Sequence, residues 1–582
     1  MALNNNQDRI YQESALDTTF RIHESDADSL FSTGSHQLVA DDDDDDDDDR
    51  QDDHQTLLPL THHANSSSSS IFSFETIPMI PLAQTQARGP ELQKKVSFGN
   101  GLGLVVGMMI GSGLFSSPGP VLASSGAYGT ALVVWLVSGL LALCGALCYA
   151  ELGTILPMNG GEAVYLGRAF GSLVSFMFEF VTIVIQKPGS LAIICIVFGD
   201  YVSRIAYHTY FFNVPHDSDA SVELADSVIP TFLPKLLAVI CLCVLTLVNA
   251  LSVRAGIRVQ DVLTVVKVLT AIVISIVGVV VLANKDLVVG NSLEGDPFQG
   301  FGSISFGQFA VAFYSDMTGL WAYEGWNNLN YVSGEMKDPH RDLPRVIIFG
   351  IPLVIFCYLL SNVAYLAALR PQVVMHTNTV AMDFGKKIFG PAGGIVFAVC
   401  VALSCFGSAN ASVFTGARII YVSAKQGHIP SFFGKLSPLR HTPVLALLLQ
   451  ACLTTVMIMI GSFRMLVNFY SLSAWIFYFL AVLSLLVFRY TEPDLKRPYR
   501  VWLSTPVLFC LVALFLCTTP FIEAPIESAI ALGIVLLAVP VWLVHVKFRA
   551  AIARGWDSIT SRFQTRTSRQ GYHGMEMVEP AE

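Results

Sequence analysis

Long apolar runs separated by short polar turns fill the chain after residue 95, and they limit what it can fold into. A bilayer core about 30 Å thick needs roughly 20 apolar residues of helix at about 1.5 Å each. About twelve runs of that size can be placed, at approximately 99–124, 128–154, 171–203, 232–250, 257–284, 304–332, 343–369, 389–417, 441–461, 464–488, 502–519 and 525–546. They are called segments one to twelve below. Charged residues make up only 14% of the chain against 53% hydrophobic, and the mean hydropathy is +0.55. This composition describes an integral membrane protein. The expected fold class is all-α, because in lipid a helix satisfies its backbone polar groups within its own segment.

The loops between the runs leave no room for a soluble catalytic domain. No zinc-ligand cluster, nucleophile-and-base motif or phosphate loop is present, so an enzyme is not expected, nor any cofactor, metal or nucleic-acid partner. All eleven cysteines fall inside apolar runs and none stands in a metal-ligand spacing. They read as small membrane hydrophobes.

Residues 1–95 hold nine consecutive aspartates, Asp41 to Asp49, and the serine run Ser66 to Ser70. With little apolar periodicity they cannot bury enough surface to fold alone, and we expect a disordered cytoplasmic tail. The net charge of −10 is largely this tail's. No secretory signal peptide opens the sequence. The stretch "DHQTLL" (Asp53 to Leu58) matches a pattern by which sorting adaptors recognise cytoplasmic tails. The membrane domain is expected over 96–547, followed by a second cytoplasmic tail over 548–582 with a basic start at the anionic inner leaflet. Lys and Arg in alternate loops number nineteen on one side and seven on the other. The excess side is the cytoplasmic one, which puts both termini inside. Plasma membrane is the favoured location, with the Leu57-Leu58 pair keeping vacuole or endosome open.

Segments one and six are interrupted in their middles. In segment one the stretch "GMMIGSGLF" places Gly111, Ser112 and Gly113 where a spanning helix is deepest. Each glycine costs about 1 kcal/mol relative to alanine, and unwound backbone in lipid costs several more unless it faces a polar cavity. The half-helix after such a break presents free N–H groups and a positive dipole end to an anion, and the Ser112 hydroxyl adds a donor. Alternatively Gly103, Gly107 and Gly111 form a small-residue packing face. Segment six carries the second interruption, "AYEGWNN" (Ala322 to Asn328), with Glu324 near mid-depth. An ionisable residue there marks a functional site by default. Carbonyls released at Trp321, Ala322 and Tyr323 are positioned to accept from an ammonium. Two broken helices five spans apart point to an inverted-repeat transporter that binds its substrate at the breaks. Segments eleven and twelve then lie outside the repeat.

A third deep charge is Lys267, ten residues into segment five from Ile257 and so about 15 Å from its end. Too deep to reach water along its own stem, it must point at protein, either as a structural ion pair or as a fixed cation beside the segment-one break. Glu179 and Lys187 in segment three either pair within the bundle or line water.

Together "GMMIGSGLFSSPG", "CYAELGTILPMNGGEAVYL", "RVQDVLTVVK" and "AYEGWNNLNYVSGEMKDPHRDLP" resemble, in order and in register, the L-type amino acid transporter family of the amino acid–polyamine–organocation superfamily. The likeness runs from about 97 to about 490. It implies ten core helices in two inverted five-helix repeats with two peripheral helices, carrying L-amino acids by alternating access without sodium. Carried over to this chain, the carboxylate-binding break falls on Ile110, Gly111, Ser112 and Gly113, and the ammonium-binding carbonyls on Trp321, Ala322 and Glu324. Tyr323 and Trp326 flank them, Trp321 stands where the family has an aromatic gate, and Lys267 takes the place of a sodium site. Members that pair with a glycoprotein heavy chain carry a cysteine between segments three and four, and residues 204–231 contain none. No disulfide-linked heavy chain is therefore expected, and the chain resembles stand-alone fungal permeases of the family. Glu324 stands where many members have a small neutral residue, which suits a basic side chain or a proton. Transport then runs by proton symport or by exchange. The alternative function is a non-transporting amino acid sensor on the same fold.

Overall fold

The computed structural model describes residues 96–158, 160–210, 229–251, 253–283, 317–437, 440, 442–544 and 547. Both tails expected from the sequence, with the aspartate run and the adaptor-binding pattern, lie outside the described residues. So do residues 304–316 of segment six.

Helix dominates the described residues, and they contain no strand beyond a single bridge between Val96 and Met336. Ten helices among them are long and apolar enough to cross a bilayer, and the shorter Val444–Ile460 adds an eleventh apolar helix. These eleven match eleven of the expected runs, and the described part of segment six supplies a short helix, Met317–Ala322, and a 3₁₀ helix, Asn328–Glu335.

Sequence signals set the ends and bends. Ser97 caps segment one by accepting from Asn100 N–H, and Ser462 caps segment ten in the same way through Met465 N–H. Segment eight is longer than its apolar run, Val380–Gln426, because a polar lead-in helix joins it through a kink at Gly390, where φ is 73° and Pro391 follows. Segment three contains an unanticipated π-helical turn, Thr182–Gln186, before the helix resumes at Lys187.

Packing follows helical periodicity. Along segment five, Val262, Leu269 and Ile276 face outward, while Thr264, Lys267, Ala271 and Ile274 are buried on the opposite face. The inward stripe is the one that carries the lysine. Segments two and seven pack along each other, as do segments three and eight, and segment five lies against both seven and eight. This arrangement surrounds the two breaks with helices on every side.

At the end of the bundle formed by the "CYAEL" stretch, Glu151 of segment two is fully buried. Arg489, at the end of segment ten, donates to both its oxygens at 3.0 and 2.5 Å, and Val501 N–H donates at 2.8 Å. Arg489 also donates to the Val501 carbonyl at 2.8 Å. The loop between segments ten and eleven is thereby strapped to segment two.

Candidate functional site

Segment one is helical over Phe98–Met109, leaves helical geometry at Ile110 (φ −71°, ψ 88°) and resumes at Gly113–Ser116. The N–H groups of Ser112, Gly113 and Leu114 open the resumed helix, where the first turn has no intrahelical acceptors. The Ser112 hydroxyl is buried and has no hydrogen-bond partner among the described residues, a donor waiting for an acceptor. The packing-face alternative holds for only part of the stretch. A Cβ on Gly107 would meet Thr264 of segment five at 2.9 Å, whereas a Cβ on Gly111 would meet nothing closer than 3.8 Å. Gly107 is a packing glycine, whereas Gly111 lines the cavity and is not closely packed against a neighbouring helix.

Segment six breaks just after Ala322, and the chain turns through Gly325 at φ 110°, a conformation that side chains with a Cβ rarely adopt, before the 3₁₀ helix begins. The two breaks touch. A Cβ on Gly113 would stand 2.6 Å from Ala322 Cα, so segment one can pass segment six at this depth only through glycine. Tyr358 of segment seven holds the crossing together: its hydroxyl donates to the Met109 carbonyl at 2.6 Å and lies 3.0 Å from the Ala322 carbonyl. One proton serves both freed carbonyls. The Trp321 carbonyl accepts from Glu324 N–H at 3.0 Å, so it and the Ala322 carbonyl each keep one lone pair for another donor.

A cavity of about 120 Å³ lies between the breaks, room for roughly four waters at about 30 Å³ of liquid volume each. Gly111, Ser112, Gly113, Trp321, Ala322, Glu324 and Lys267 all line it. Lys267 Nζ donates to Ser408 Oγ of segment eight at 3.4 Å, and that same oxygen would stand 3.8 Å from a Cβ on Gly111. The lysine therefore stands beside the segment-one break. Trp321 packs edge-on against Phe463 at 5.7 Å and forms one wall.

Three residues of the sequence-derived set do not reach the cavity. Tyr323 is buried against Trp135 and Tyr358, and Trp326 packs among Tyr149, Tyr478 and Phe509. Ile110 is buried in the core. Their side chains support the break from behind.

Among the other cavity residues, Tyr478, Glu162 and Gln186 have no mark in the local sequence, while Lys187 takes the cavity-lining place of the two open to it. Tyr478 of segment ten donates to Glu324. Glu162, in the "GGEAVYL" stretch, accepts from Asn327 Nδ2 at 2.5 Å through one oxygen, while its other oxygen has no partner among the described residues. Lys187 and Gln186 reach the cavity from the π-helical turn. Such turns often mark functional sites, but no residue pattern announces them. Glu179, by contrast, is paired within the bundle, with His428 Nδ1 at 2.7 Å and Ser423 Oγ at 3.0 Å.

Comparison with known proteins follows this geometry closely. The pattern of the amino acid permease family matches residues 98–544, which includes both breaks. The chain is 39% identical over 442 residues to the b(0,+)-type amino acid transporter 1 of Mus musculus, covering 76% of this chain and 85% of that protein. It is 38% identical to the Homo sapiens protein of the same name, over 75% of this chain and 84% of that one. To the large neutral amino acids transporter small subunit 2 of Homo sapiens it is 36% identical over 469 residues, 80% of this chain and 83% of that one. With the match spanning the whole membrane region, the chain belongs to the amino acid permease family, among the L-type transporters of the amino acid–polyamine–organocation superfamily.

Proposed function

We propose that the protein is a secondary transporter of L-amino acids that works by alternating access without sodium. The observation that carries this reading is the contact of the two breaks at Gly113 and Ala322 on the wall of one cavity. A zwitterion fits the polarity on offer. Its carboxylate meets the N–H groups of Gly111 to Gly113 and the unpartnered Ser112 hydroxyl, and its ammonium meets the remaining lone pairs at Trp321, Ala322 and Glu324. Lys267, a fixed cation beside the first break, takes the place of a coupling sodium. Glu324 gives the site a carboxylate that exchanges a proton or receives a basic side chain, so transport runs by proton symport or by amino acid exchange. The relatives support the substrate class, since those named above are amino acid transporters. The loop between segments three and four contains no cysteine, which supports a carrier without a disulfide-linked heavy chain. The charge bias of the loops supports cytoplasmic termini, and the plasma membrane is the proposed location.

The test is uptake of labelled amino acids by purified protein in sodium-free liposomes, with and without an imposed pH gradient. Saturable uptake or counterflow is expected. Binding without either would favour the sensor reading, and exchange indifferent to pH would remove proton symport.

A further inference from the structure

Among the four charged side chains that line the cavity, Glu162, Lys187, Lys267 and Glu324, one is placed unlike the rest. Glu324 is held by Tyr478, Glu162 by Asn327, and Lys267 by Ser408. Lys187 makes no hydrogen bond or ion pair among the described residues, and the charges it faces are those of Glu324 and Glu162. Its position follows from the backbone. The π-helical turn Thr182–Gln186 ends where Lys187 begins, and from there Lys187, Ser190 and Ile194 form one cavity-facing stripe at helical spacing. Bonded to neither carboxylate, the lysine lines the same cavity as both and offsets their charge.

We infer that Lys187 sets the charge class of the substrate side chain, acting as the tethered counter-charge of Glu324 and Glu162 so that the cavity favours amino acids with uncharged side chains. This rests on the transport reading above. The substrate's own carboxylate and ammonium cancel and are met by backbone groups, so the side chain decides the remaining balance. Two glutamates and two lysines leave the cavity formally neutral. A cationic side chain entering beside Glu324 must then share that carboxylate with Lys187, and an anionic one must face both acids. Either leaves a buried charge without compensation, which the low-dielectric interior penalises. Removing Lys187 leaves the acids for a cationic substrate to neutralise. Removing Glu324 weakens the hold on cations and eases the penalty on anions.

The experiment is competition by arginine, leucine and glutamate against labelled leucine uptake in liposomes, for the wild type, Lys187→Met, Lys187→Arg, Glu324→Gln and the double variant Lys187→Met with Glu324→Gln. Lys187→Met is expected to raise arginine relative to leucine by about tenfold. Lys187→Arg is expected to keep the wild-type ratio, and the double variant to return toward it. Glu324→Gln is expected to lower arginine and to admit glutamate, and it reads the same balance where Lys187→Met yields too little folded protein for uptake. An arginine-to-leucine ratio unchanged in both single variants, or altered as much by arginine as by methionine at 187, would overturn the inference. Wild-type protein that takes up no amino acid would overturn the transport reading and this inference together, whereas wild-type uptake with unmoved ratios overturns this inference alone.

Discussion

Glu151 and Glu324 are both carboxylates inside the helical bundle, and the structure holds them in opposite ways. Glu151 is closed off: two bonds from Arg489, one from the Val501 N–H, and a second guanidinium, Arg497, at 3.9 Å. Both its oxygens are engaged by protein donors, and it does not line the cavity. Glu324 faces a cavity, receives a tyrosine hydroxyl, and shares that cavity with Lys187, which has no bonded partner among the described residues. A buried acid with both oxygens engaged by protein donors away from the cavity is a joint between helices, while one that keeps acceptor capacity beside a cavity can respond to what enters. The cost of burying a charge is met in the first case by protein and in the second partly by substrate or proton.

Substitutions at the two sites separate these roles. The largest loss is expected for Glu151→Ala, which strands Arg489 in the bundle at a cost of about 3–5 kcal/mol. Its melting temperature and yield of monodisperse protein should fall sharply, and a variant as stable as the wild type would remove the joint. Gly113→Val should abolish uptake, because its Cβ would lie 2.6 Å from Ala322 Cα. Retained uptake would show that the breaks need not touch. Tyr358→Phe leaves the Met109 and Ala322 carbonyls without the shared proton, and the loss of a buried partner costs about 1–3 kcal/mol. The expected readout is roughly a tenfold fall in uptake rate with expression little changed.

Glu324→Gln should fold almost as well as the wild type yet alter the preference for basic amino acids or the response to pH, in contrast to Glu151→Ala. Unchanged transport on both counts would make Glu324 a second structural acid. The smallest effect belongs to Arg168→Ala. Its pair with Glu492 is about a third exposed on each side, and surface pairs contribute only about 0.2–1 kcal/mol. A melting temperature that falls as far as in Glu151→Ala would contradict the distinction between sealed and open ion pairs.

Much of this architecture could be read from the sequence because the bilayer makes hydrophobic length decisive. Eleven runs have helices over nearly the expected bounds, and the glycines of "IGSG" and "AYEGWNN" mark the breaks because weak helix formers recur at that depth five spans apart, which a packing face on segment one alone does not explain. Lys267 was legible for the same reason. Adjacent residues around the breaks were harder to assign, since a local pattern does not say which way a side chain turns after the helix unwinds. Trp326 and Tyr323 sit beside Glu324 in sequence but point into aromatic packing. Tyr478 and Glu162 come to the cavity, and Tyr358 to the crossing of the breaks, from segment ten, the "GGEAVYL" stretch and segment seven, brought there only by tertiary packing. Even the reason for Gly113 changed. Sequence suggests room for a carboxylate, and the structure adds room for Ala322.

The central claim is that one amino acid lies between the two breaks, with its carboxylate on segment one and its ammonium on segment six. An experimental structure of the protein in lipid with a transported amino acid bound tests this most directly. The expected result is a carboxylate within hydrogen-bond distance of the Gly111 to Gly113 N–H groups and an ammonium at the Trp321, Ala322 and Glu324 carbonyls. An amino acid bound in the reverse orientation, or seated away from both breaks, would contradict it.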